Sequence, residues 1–197
     1  MRAWWFIVAA VAWGAWHVFS QREISRPPGI LAAAEPRQES LQEPAPVFSK
    51  AGYKLTSLVR FDAQARVILT EHYRFDRGAD LVPVDLALGW GPMSDTAVLQ
   101  GLSFSQNSRF YFYSWSGAPP IPSREIAVHS ANMHLIPAND RVAKRLQQVR
   151  AGNIVHFSGY LVKAESADGW KWISSMTRTD VGAGACELVW VEELEVS

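Results

Sequence analysis

The chain has 197 residues and a mass of 22.0 kDa, with 19 basic residues against 19 acidic ones. Zero formal net charge removes the electrostatic basis of general nucleic-acid binding, which rests on neutralising phosphates. Charged residues at 19% and apolar residues at 48% exclude a wholly disordered chain, and a single cysteine excludes an internal disulfide framework or a multi-cysteine zinc site.

Residues 3–19 read AWWFIVAAVAWGAWHVF, a run without a formal charge between Arg2 and Arg22. At about 1.5 Å per residue it reaches roughly 26 Å as a helix, near the lower limit for crossing a bilayer. Trp4 and Trp5 at one end, with Trp13 and Trp16 toward the other, suit two headgroup belts. We therefore expect residues 1–20 to form an uncleaved, single-pass transmembrane anchor. A cleaved signal fits less well, because the small-residue run Ala32-Ala33-Ala34 lies well beyond the apolar stretch, across Pro27-Pro28. A short N-tail before a long domain places that domain outside the cytoplasm. For a bacterial chain this means an inner-membrane protein with its domain on the periplasmic side.

Residues 21–47 hold five of the 11 prolines among Gln, Glu, Arg and Ser, and read as a flexible linker. Residues 48–197 read as one globular, β-rich domain. Four residues of each charge lie upstream, so the domain is neutral as well.

Within the domain, Tyr53, Leu55, Val59 and Phe61 alternate with polar residues, as do Val67, Leu69 and Tyr73. With Phe61-Asp62-Ala63-Gln64 between them, 53–74 is expected to be a hairpin. Ser94 and Asp95 can cap a short helix at 95–101. Arg109–Trp115 is aromatic on both faces and predicts a strand covered on both sides. Asn139–Val149 has helical spacing, a capping Asn139 or Asp140, and a stop at Gly152. The last third predicts a meander with strands at 153–163, 170–178 and 186–196. On its final strand Cys186, Leu188, Trp190, Leu194 and Val196 share one face.

These elements predict an α+β fold of mostly antiparallel strands, a small barrel with one or two short helices, preceded by the transmembrane helix. Gly152-Asn153-Ile154-Val155 and Gly159-Tyr160-Leu161-Val162 read as a barrel strand bent at Gly159. This region resembles OB-fold barrels in a general way, and an OB-like barrel is the form that resemblance implies.

Three groups of residues are candidates for function. His129 and His134 bracket the densest polar cluster, residues 129–134; in a loop the two imidazoles can converge, with Asp85 as a further candidate brought in by folding. Arg178 and Asp180 end a strand before a glycine turn and can meet an anion. Trp90, Tyr111 and Tyr113 can stack on a ligand if they are exposed. HExxH and paired cysteines are missing, so no metal site and no cofactor are expected. Nor is a complete catalytic set present, and the reading leans away from an enzyme. The expected function is a membrane-tethered, extracytoplasmic binding or accessory module. Its expected partners are the membrane, through residues 3–19, and an envelope protein, with no nucleic acid. The proline-stiffened segment 114–123 is the expected contact surface. The first alternative is an envelope hydrolase or metal-dependent enzyme using His129, His134, Asp85, Arg178 and Asp180. The second is an OB-like ligand-binding module.

Overall fold

The computed structural model describes residues 22–177 and 186–197, together with Trp4 and Val8. Among the described residues no helix is long and apolar enough to cross a membrane. The expected anchor lies outside them, apart from those two positions, and so do Arg178 and Asp180.

The domain is mostly antiparallel β-sheet with a few short helices. Its strands are β1 (Arg37–Ser40), β2 (Val47–Lys50), β3 (Tyr53–His72), β4 (Val84–Gly89), β5 (Ser103–Asn107), β6 (Phe110–Ser114), β7 (Ser130–Pro137), β8 (Ile154–Ser166), β9 (Lys171–Ile173) and β10 (Glu187–Val196). Its α-helices are α1 (Thr96–Leu99), α2 (Ser123–Val128) and α3 (Asp140–Leu146), and a 3-10 turn spans Gly91–Ser94. Strand pairing runs β3–β4–β7–β10–β8 and returns from β8 to β3, so five strands close a ring. Every pair in the ring is antiparallel except β7–β10, which is parallel. A parallel pair needs a crossover, and α3, β8 and β9 lie on the connection that supplies it.

Alternation explains which side chains fill the ring. Phe61, Ala63, Ala65 and Val67 of β3 face inward with Val84, Leu86 and Leu88 of β4, Met133 and Leu135 of β7, Val155 and Phe157 of β8, and Val189 and Val191 of β10. Val142 and Leu146 of α3 pack on the same cluster. Asn139 caps α3 through its Oδ1, which accepts from Val142 N at 3.0 Å. Asp95 caps α1 in the same way. Both helices stand where the sequence places them.

Four expectations are corrected. The segment 53–74 is no hairpin: β3 is one strand of 20 residues. Asp62 and Gln64 are outward positions of a continuous strand, while Phe61 and Ala63 stay inside. Residues 129–134 are no loop: β7 begins at Ser130, and position 134 lies within it. The final strand pairs with β8 and β7 rather than completing a meander on β9, and a bulge between Val191 and Glu193 reverses its phase. Leu194 therefore faces the ring interior while Leu188 and Trp190 face outward, and Cys186 is half-buried. Finally, β6 is covered on one side only, its residues alternating between exposed and half-buried.

Residues 22–50 lie against the sheet. Ile24 N donates to Ala151 O at 2.9 Å, Gly29 N to Asp95 Oδ1 at 2.8 Å, and Leu31 N to Ser94 Oγ at 3.0 Å. Further on, β1 and β2 pair with β3. The proline-rich stretch has no apolar period because each contact is made by backbone groups or by single side chains such as Ala32, which is buried.

Candidate functional site

Asp85 of β4 and His134 of β7 are register partners on the outer face of the ring. Their neighbours Val84, Leu86, Met133 and Leu135 point inward, so alternation turns the two polar side chains outward together. Asp85 is fully buried and His134 is 2% exposed, so something covers them. The cover is the turn of the β5–β6 hairpin together with Trp172 of β9.

Arg109 is the centre of that cover. Its Nη1 donates to Asp85 Oδ1 at 2.9 Å and to Val82 O at 2.9 Å. Its Nε and Nη2 donate to Asp76 Oδ2 and Oδ1, both at 2.8 Å, a two-pronged pairing. The guanidinium carbon sits 3.6 Å from the centre of the Tyr73 ring. His134 Nδ1 lies 2.9 Å from Asp85 Oδ2, but off the line of an N–H bond, so this is a close polar contact without an aligned hydrogen bond. The Trp172 ring closes over the imidazole at 4.6 Å between centroids.

The backbone of the turn is held as firmly. Ser108 and Arg109 have φ of 50° and 70°, the left-handed region that a two-residue hairpin requires. Neither residue is glycine, so each adopts it at a cost of roughly 1–2 kcal/mol. The surroundings fix the geometry: Arg109 N donates to Tyr73 Oη at 2.9 Å, and Asn132 Nδ2 donates to Arg109 O at 3.0 Å. Gln106 Nε2 donates to Asn132 Oδ1 at 2.6 Å. Burial raises the Tyr73 hydroxyl to about 12, and its accepted bond from Arg109 works in the opposite direction. Hydrogen bonding to Arg109 holds the Asp76 carboxyl below its usual range.

The cluster is thus a latch. Each oxygen of Asp76, one oxygen of Asp85 and both ends of the guanidinium are committed to one another. What it holds out is the far side of the hairpin. Tyr111 and Tyr113 turn inward and pack with Ile68, Ala87, Met93 and Phe104. Phe110 and Phe112 turn outward, 42% and 49% exposed, opposite Asn107 and Ser105. Trp115 follows them at the edge of the exposed segment 114–123, stacked on Tyr113 at 6.3 Å.

The structure brings Asp85 and His134 together and separates His129 from them. His129 precedes β7, five residues or roughly 17 Å along the chain direction from His134. There its Nδ1 lies 2.9 Å from Glu125 O, and its ring backs onto Gly91. Trp90 is 1% exposed within the core, and Tyr111 and Tyr113 are half-buried, so those three rings do not form an open platform. Among the described residues no three His, Cys, Asp or Glu side chains are grouped to hold a metal. Sequence reasoning missed Arg109, Asp76, Tyr73 and Trp172. The available signal was two alternating runs, Ser103–Asn107 and Phe110–Ser114, two residues apart, which is hairpin spacing. No family model matches the chain, and neither a curated protein nor a solved structure matches it.

Proposed function

We propose that this chain is a membrane-tethered binding or accessory module that docks a protein partner on the outer face of the β5–β6 hairpin and the adjoining segment 114–123. The observation that carries this reading is the latch. Buried charge is used to fix a strained turn, and the fixed hairpin presents Phe110 and Phe112 to solvent. A rigid aromatic patch with a polar rim loses little entropy on binding, and aromatics dominate protein interfaces. Ser103, Ser105, Asn107 and Ser114 form that rim.

In its finer architecture we read the ring as an OB-like barrel. Its strand order, with a helix between the third and fourth ring strands and a parallel pair of third and fifth, supports that reading. The hairpin then arises from the connection between the second and third ring strands. The tether is the apolar run 3–19, with the domain on the periplasmic side of an inner membrane.

The enzyme alternative keeps Asp85 and His134, which touch, while His129 stands apart from them. Both members of the touching pair are sealed beneath Arg109 and Trp172, which favours binding over chemistry.

Two experiments test the proposal. Phosphatase and fluorescent-protein fusions at Ser197 should give active phosphatase and dark fluorescence; the reverse removes the periplasmic assignment. Affinity capture of the full chain from solubilised membranes should recover a stoichiometric protein partner. Exchange of Phe110 and Phe112 for Ser should reduce that recovery at least tenfold without changing the unfolding midpoint. Equal recovery by the double variant would refute the hairpin as the docking face.

A further inference from the structure

At the opposite end of β4 from Asp85, a cleft of about 510 Å3 lies between the end of β3, α1, β5 and residues 23–26. That volume is within the range of small-molecule sites. Ile68, Leu99, Leu102 and Phe104 make its apolar wall.

Arg66 lies on the other side, its side chain 3% exposed. A guanidinium stays charged and carries five N–H donors. Nη1 donates to Ser94 O at 3.2 Å and to Thr96 Oγ1 at 2.6 Å, both uncharged acceptors. Nε is buried without an acceptor, and Nη2 faces the Glu23 carboxylate from 3.9 Å, beyond hydrogen-bond range. Glu23 itself is 67% exposed. Among the described residues no carboxylate hydrogen-bonds Arg66. A buried cation whose ion-pair partner is an exposed carboxylate beyond hydrogen-bond range is costly, and this one borders an apolar wall.

We propose that the cleft binds an anionic amphiphile: a carboxylate or phosphate on Arg66 Nη2, and a single acyl chain along Ile68, Leu99, Leu102 and Phe104. The incoming anion takes the position that Glu23 approaches but does not reach. Glu23 follows Phe19, the end of the apolar run, by four residues, a reach of at most about 14 Å. A bilayer crossed by residues 3–19 would deliver the amphiphile within that distance. This route rests on the tether reading, whereas the binding itself does not.

The test uses the full chain in dodecyl maltoside and displacement of a dansyl-labelled fatty acid. Oleate and lysophosphatidate, each with a charged head and one chain, should displace the probe at concentrations at least tenfold below those needed for uncharged monoolein. Tighter displacement by oleate assigns a carboxylate head, and tighter displacement by lysophosphatidate assigns a phosphate. Arg66→Gln should weaken probe binding at least tenfold. Should that variant unfold, Leu99→Trp, which fills the apolar wall and leaves Arg66 in place, should do the same. No probe binding, displacement by monoolein equal to that by the anions, or binding by a folded Arg66→Gln or Leu99→Trp within twofold of the parent would overturn the proposal. Both outcomes are independent of partner capture on the hairpin.

Discussion

Arg109 joins three parts of the chain that are remote in sequence: Asp76 after β3, Asp85 in β4, and its own hairpin turn. Arg109→Met should destabilise the fold by about 3–5 kcal/mol, because it leaves the Asp85 carboxylate buried without its cation. Adding Asp85→Leu should recover much of that loss, since no buried charge remains. Urea unfolding of both variants checks this, and a single-variant loss below about 1 kcal/mol would mean that the latch contributes little. Ser108→Gly should act in the opposite direction. It relieves a left-handed backbone at the expense of some unfolded-state entropy, and should stabilise by about 0.5–1 kcal/mol. His72 supplies a pH test. Burial lowers its pKa below the ordinary 6.5, so the unfolded chain takes up the proton first as pH falls. Its contribution to stability is complete above about pH 6.5 and is lost below it. His72→Gln should flatten the dependence of the unfolding midpoint between pH 7 and pH 5, and an unchanged slope would assign the loss to other groups.

At the scale of elements, local chemistry was legible where one rule acted alone. Asn139 and Asp95 announced two helix starts, and Gly159 marks a close approach of the neighbouring strand. The glycine is obligatory: a Cβ there would lie 1.8 Å from Trp190 O, on the neighbouring strand β10. Gly159→Ala should cost about 3 kcal/mol or more, at the upper end for overpacking, with a loss of far-ultraviolet β signal at lower urea. A tolerated alanine would show that β8 and β10 separate there more easily than their pairing implies. Illegible elements were those where two signals coincided. Asp62 and Gln64 resemble turn residues, yet Asp62 is an outward strand position that meets Arg37 at 3.3 Å and His156 at 3.1 Å. Ser108-Arg109 lacks the glycine or asparagine that marks a two-residue turn, because its conformation is enforced by Tyr73 and Asn132 from outside the hairpin. No local rule reads a turn held by residues so distant in the chain.

For the molecule as a whole, a mostly antiparallel fold and a small barrel were expected from alternation and turn spacing, whereas the strand pairing that closes the ring was not legible. Closure depends on β3 pairing with β8 along one edge and with β4 beyond Arg66, which length and bending decide. The candidate site was half legible. Asp85 and His134 were singled out as polar residues, but their meeting required β4 and β7 to pair in one particular register. The most direct test of the docking account is photo-crosslinking from position 112. The full chain, with p-benzoylphenylalanine in place of Phe112, is expressed and irradiated in whole cells. The account predicts one discrete protein adduct, lost when Arg109→Met releases the hairpin. Adducts to lipid alone, or no adduct at all, would contradict a protein-docking role for this face.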